Sequence, residues 1–142
     1  MKHKAFAYVV RTDRTPFELL VSDSPEETGL EVVRGKQELN EEIVETALRE
    51  VEEEAGLSGC TFVRELGTLR WRAEIQHFCL LRAPDGLPDT FTHIVNVPGA
   101  GDHGQVFRYL WRPISPALEA ELVQGSGRYL EPLIEAIRRW TP

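Results

Sequence analysis

The chain has 142 residues, the length of one average domain and enough to bury a core of its own. With 42% hydrophobic and 27% charged residues it has the composition of an ordinary globular protein, which excludes disorder along the whole chain. Its 16 Lys and Arg against 23 Asp and Glu give a formal charge of -7, the wrong sign for generic binding to nucleic acid or an anionic membrane, so an anionic ligand needs a local device.

In chain order, the strand-like runs Lys4 to Arg11 and Phe17 to Ser22, split by the turn-forming stretch Thr12 to Pro16, predict an opening hairpin. A polar segment from Asp23 to Gly29 leads to the short apolar run Leu30 to Val33, which stops at Arg34-Gly35. The clearest helix follows, expected from about Glu41 to Ala55. Asn40 is its predicted N-cap, Leu39 and Val44 its hydrophobic staple, and Gly56 its left-handed stop. Aromatic and β-branched residues then predict strands over Thr61 to Leu69, Ala73 to Leu81, Thr90 to Val97 and Gln105 to Trp111. Helical spacing returns at Ala117 to Leu122 and Tyr129 to Trp140, where Leu130, Leu133, Ile134 and Ile137 form an apolar stripe. Strands around a central helix, with a closing helix, predict an α/β sandwich on a mixed sheet, as a single domain over residues 1–142. No apolar run approaches the ~18 residues of a membrane span, and Ala5 to Val10 is followed by no small-residue cleavage signal, so the expected location is the cytoplasm. Cys60 and Cys79 lack metal-ligand spacing and read as buried thiols.

On the predicted helix, Val44, Ala47, Leu48, Val51 and Ala55 share a flank suited to packing on the sheet. Glu50, Glu53 and Glu54, at i, i+3 and i+4, cluster on an adjoining face, while Glu45, Arg49 and Glu52 are expected to point further round. Such a carboxylate face is either a solvated acidic surface or an oxygen-ligand set for Mg²⁺ or Mn²⁺, ions that bridge carboxylates to phosphates. Charge alone leaves both readings open.

The surrounding spacing separates them: Gly35, five residues, Glu41, seven residues, then Arg49-Glu50-Val51-Glu52-Glu53-Glu54-Ala55-Gly56-Leu57. This resembles the box of the Nudix hydrolase superfamily, MutT-like enzymes with the pattern Gly-x5-Glu-x7-Arg-Glu-U-x-Glu-Glu-x-Gly-U, U being bulky aliphatic. Every fixed position is matched. A chance match is rarer than about one in a million chains. The resemblance implies an α/β/α fold with a mixed sheet between helices, and metal binding by Glu50, Glu53, Glu54 and a backbone carbonyl near Gly35. It further implies that Arg49 orients a box carboxylate and that Glu41 stabilises the loop.

The implied reaction is hydrolysis of a nucleoside diphosphate linked to another group, with Mg²⁺ or Mn²⁺ as cofactor and Glu50 a candidate base. The later loop Gly99 to Gly104 offers Asp102 as a further carboxylate and His103 as a second polar tip. Arg34 and Lys36 flank the box glycine and are candidate phosphate contacts. Trp71, Phe78, Tyr109 and Trp111 are either base-stacking or core aromatics, and His77 and His93 either interior histidines or pocket walls. About fifteen residues past the box, Arg72-Ala73-Glu74-Ile75 holds neither the proline associated with ADP-ribose nor the tyrosine associated with dinucleoside polyphosphates. The extended signatures of coenzyme A and NADH pyrophosphatases are also missing. A nucleoside triphosphate or a dinucleotide-type substrate is therefore expected, with homodimers common among the resembling proteins. The alternative is a domain of the same fold that senses a nucleotide without turnover, but such domains often lose the box carboxylates that are intact here.

Overall fold

The computed structural model describes residues 1–23 and 28–140. Its strands are β1 (Lys2–Arg11), β2 (Glu18–Asp23), β3 (Leu30–Glu31), β4 (Val33–Lys36), β5 (Thr61–Trp71), β6 (Glu74–Arg82), β7 (Thr90–Ile94) and β8 (Val106–Pro113). They form one mixed sheet in the order β5-β6-β1-β2-β8-β7, with β3 beside β2 and β4 beside β1. The β1–β6 pair is parallel and the other named pairs are antiparallel. Helix α1 (Ile43–Ala55) covers one face; a 3-10 turn (Pro116–Glu121), α2 (Gln124–Gly127) and α3 (Leu130–Ile137) cover the other. This is the expected layering of helix, mixed sheet and helix.

Strand β1 is central because both its faces are apolar. Ala5, Ala7 and Val9 pack with Ala47, Val51 and Ala55 of α1, whereas Phe6, Tyr8 and Val10 pack with Leu118, Leu130 and Leu133. Each large side chain buried this way contributes about 1.5–3 kcal/mol. One edge of β1 carries β6 along most of its length; the other is shared, by β4 at Lys4 to Ala7 and by β2 at Val10 and Arg11. The chain switches partner at Val32, between β3 and β4, where the Val32 amide donates to Ser126 Oγ at 3.0 Å instead of to a strand. Sharing that edge divides the sheet beside β4, and the box side chains of α1 occupy the division.

The opening hairpin forms as expected, with Val10 paired to Leu19 and Arg11 to Glu18. Cys60 and Cys79 are free thiols, Cys79 fully buried. The part of the polar segment from 24 to 27 lies outside the described residues.

The helix start differs from expectation. Asn40 is not the cap: it sits in a turn with a left-handed φ of 63°, and Glu42 caps α1 through a reciprocal capping box with Glu45. Leu39 is 92% exposed and Val44 40% exposed, so no staple forms and Val44 leaves the core flank. The reciprocal pair of Glu42 and Glu45 satisfies amides at both positions, and it leaves Glu41 to the site. Gly56 closes α1 as predicted, at φ 67°, donating to the Glu52 carbonyl at 2.9 Å. The run Ala117 to Leu122 is a 3-10 turn rather than an α-helix, and β7 ends at Ile94, where a loop begins that carries Asp102.

Candidate active site

Glu50 projects from α1 onto Gly35 of β4. A Cβ at position 35 would occupy the space of the Glu50 carboxylate, so the box glycine is a cradle for that side chain rather than a flexible turn. Glu50 is buried, and burial raises its pKa, while Arg49 beside it pulls the value down and Glu53 adds to the rise. Glu54, one helical turn on, is half-buried. Its pKa is pushed up to about 9 by desolvation first, then by the negative charges of Glu50 and Asp102. Asp102, carried in from the β7–β8 loop, therefore stands within electrostatic reach of the box carboxylates.

Arg49 organises the cluster. Its Nε and Nη2 fork onto Glu41 at 2.7 and 3.0 Å, Nη1 donates to Glu50 at 2.8 Å and to Glu53 at 3.0 Å, and Nη2 also reaches the Lys36 carbonyl at 2.8 Å. The expectation that Arg49 points away from the carboxylate face is corrected here: Arg49 and Glu53 are i, i+4 neighbours, and the long side chain spans back to the loop before α1. Glu41 lies just before the helix and accepts in addition from the Glu38 amide at 3.0 Å and Thr46 Oγ1 at 2.7 Å. These donors, Arg49 above all, hold its carboxyl down at about 2. Glu41 thus clamps the loop from Lys36 to α1.

The other candidates divide. The Arg34 guanidinium pairs with Glu31 at 3.3 Å, while the Lys36 side chain is exposed. His103 is exposed and accepts the Val97 amide at 3.0 Å through Nδ1, so it stabilises the loop that presents Asp102. His77 bonds His3 at 2.8 Å and also Glu65, away from the box. His93 packs against Gly56 and, with Arg49, Glu52, Glu53, Asn96 and Val97, lines an open hollow of about 440 Å³ beside the carboxylates. Of the aromatic candidates Phe78, Tyr109 and Trp111 are buried and Trp71 is 41% exposed.

Two site residues escaped sequence reasoning. Glu31 is a buried carboxylate within electrostatic reach of Tyr109, and its signal was a charge inside the apolar run Leu30 to Val33. Tyr109, expected only as a stacking or core aromatic, is also a polar group near the carboxylates: among the described residues its buried hydroxyl has no hydrogen-bond partner, and its pKa is raised by burial and by Glu54, Glu31, Asp102 and Glu50.

Buried, mutually repelling carboxylates around a glycine cradle, with oxygen as the only donor atom, fit a hard divalent cation, which would replace the shared proton and relieve the repulsion. Among the described residues no three ligating groups already converge, and Arg49 is hydrogen-bonded to both Glu50 and Glu53.

The sequence matches the NUDIX domain over residues 1–133. No curated protein matches it. Among solved structures it is similar to the Ap4A hydrolase of C. elegans, at 16% identity and a TM-score of 0.68, covering 96% of this chain and 98% of that one. A mutT/nudix family protein from Listeria innocua aligns at 17% identity and a TM-score of 0.66, covering 96% and 94%. A MutT structure from work on Aliivibrio salmonicida and Vibrio cholerae aligns at 20% identity and a TM-score of 0.63, covering 95% and 98%. With the box folded as a loop, helix and loop at a cleft of the sheet, and a family match over nearly the whole length, the chain belongs to the NUDIX family of hydrolases.

Proposed function

We propose that the chain, as a single domain over residues 1–142, is a metal-dependent pyrophosphohydrolase that cleaves the diphosphate of a nucleoside diphosphate linked to another moiety. The observation that carries this is the seating of Glu50 on Gly35 next to Glu54 and Asp102, with Arg49 tying Glu50 and Glu53 to the loop. In this reading Glu50, Glu53, Glu54 and the Gly35 carbonyl hold Mg²⁺ or Mn²⁺. When bound, the ion supplies charge neutralisation of the diphosphate and acidifies water.

The chain's own residues supply the rest. Glu50 accepts the proton of the attacking water, its basicity raised by burial and trimmed by Arg49. Asp102 closes the cluster from the opposite loop. Arg34 and Lys36 dock phosphate oxygens, offsetting the net charge of -7 where an anion must approach. Triphosphates and dinucleoside polyphosphates are the first substrates to try, since the structural neighbours include a MutT and an Ap4A hydrolase.

The test is phosphate and pyrophosphate release from a panel of nucleoside triphosphates, dinucleoside polyphosphates, ADP-ribose, NADH and coenzyme A, with Mg²⁺ or Mn²⁺ and with EDTA. Turnover of one class, abolished by EDTA and reduced at least about a hundredfold in Glu53→Gln with an unchanged melting profile, is the expected result. Wild-type rates in Glu53→Gln at saturating Mg²⁺ would remove the metal assignment. Metal binding without turnover of any substrate would favour a nucleotide-sensing domain.

A further inference from the structure

Strand register sets Lys4 of β1 opposite Lys36 of β4 and Phe6 opposite Arg34. By alternation these three cations stand on one side of the strands, flanking Gly35 and its Glu50 cradle on the other. The Lys4 side chain is half-buried and, among the described residues, makes no hydrogen bond or ion pair. Its neighbour across β6, Gln76, offers no free acceptor: the Gln76 amide donates to Glu74 at 2.7 Å and its oxygen accepts from Arg128 at 3.0 Å. The charges that act on Lys4 are Glu74 and Glu54, which favour the ammonium, and Arg34 and Lys36, which oppose it along with burial. Thus Lys4 lies within electrostatic reach of the carboxylate cluster yet touches none of it. An ammonium half out of water, beside two like charges and with no carboxylate in contact, is a cost to the free protein. A bound anion would repay it.

We propose that Lys4, Arg34 and Lys36 form an anion cradle that holds a phosphoryl group of the substrate next to the one attacked, with Lys4 as its half-buried anchor. The proposal rests on the hydrolase reading for the role of that phosphoryl group, though not for the anion site itself. It assigns the acidic protein a local source of positive charge that includes a residue far outside the box. Lys4 acts here as a binding and positioning residue; it transfers no proton.

The probe is inorganic pyrophosphate, titrated calorimetrically into the full chain at neutral pH, with and without Mg²⁺. In both conditions Lys4→Met and Lys36→Ala should each weaken binding by about tenfold or more, the scale of a charge-assisted hydrogen bond. Lys4→Arg should stay within about threefold of wild type, because it restores charge but not shape. Lys36 is exposed, so Lys36→Ala keeps the test in hand if Lys4→Met fails to fold. Wild-type affinity in Lys4→Met, no pyrophosphate binding by the wild type in either condition, or an equal loss in Lys4→Arg would each overturn the cradle. Metal-dependent hydrolysis with a silent Lys4→Met removes the cradle and leaves the hydrolase. Lys4-dependent pyrophosphate binding with no diphosphate hydrolysed removes the hydrolase and leaves the cradle.

Discussion

Removing Arg49 should unfold the site before it removes any chemistry. Arg49→Ala strips Glu41 of a two-pronged partner, leaves Glu50 and Glu53 without their shared cation, and frees the Lys36 carbonyl. The magnitude follows from Glu41. Its carboxyl falls from 4.5 to about 2, chiefly through Arg49, and at ~1.4 kcal/mol per pKa unit this corresponds to roughly 3 kcal/mol. Solvent screening at the loop edge reduces that to about 2 kcal/mol. Because the folded pKa is depressed, the contribution is complete above about pH 4.5 and is lost as pH falls through about 2. Urea unfolding of wild type and Arg49→Ala should therefore show a gap of about 2 kcal/mol at neutral pH that narrows steadily towards pH 2. Arg49→Lys should recover part of the gap, since an ammonium restores the charge but cannot reproduce the fork onto Glu41. A gap that is the same at pH 7 and pH 3, or one below about 0.5 kcal/mol throughout, would refute the clamp.

Gly35→Ala places a methyl group in the seat of the Glu50 carboxylate, and a displacement of about 1 Å there should cost on the order of a hundredfold in kcat/KM with Mg²⁺ saturating. Unchanged kinetics in that variant would show that Glu50 need not rest on the glycine. Glu54, held protonated to about pH 9 by burial and its carboxylate neighbours, ties metal binding to proton release. Mg²⁺ affinity should rise with pH through the neutral range, and calorimetry in buffers of different ionisation enthalpy should detect the released proton. Between about 4.5 and 9 folding must return to Glu54 a proton that the unfolded carboxyl has lost, so Glu54→Gln should raise the melting temperature of the metal-free protein at pH 7, with the gain fading below about 4.5. Gly56→Ala combines a left-handed backbone with a Cβ 2.6 Å from the His93 ring and should lose about 2 kcal/mol or more in thermal or urea unfolding.

Legibility in the sequence was greatest where a local period or a spaced motif carried the information. The apolar stretch of β1 declared a strand of an opening hairpin, Gly56 declared the end of α1, and the spacing from Gly35 to Leu57 declared the family. Those features depend on neighbours a few residues apart, which a linear sequence displays. The start of α1 was less legible because Asn40 and Glu42 are both competent caps, and the choice between them depends on Glu41 being drawn into the Arg49 clamp. The direction of Arg49 was misjudged for a similar reason: one long side chain joins the helix to the loop ahead of it. Whether Asp102 joined the site while His103 turned away was decided by the return path of the β7–β8 loop, which no periodicity encodes. Lys4 and Tyr109 come within electrostatic reach of Glu54, and Glu31 within reach of Tyr109, because β1 gives part of one edge to β4 and part to β2, which in turn pairs with β8. The carboxylates proposed to carry the chemistry are written locally, one helical turn apart. The charges that surround it were placed by strand pairing over long separations in the chain, where hydrogen bonding and burial act in three dimensions.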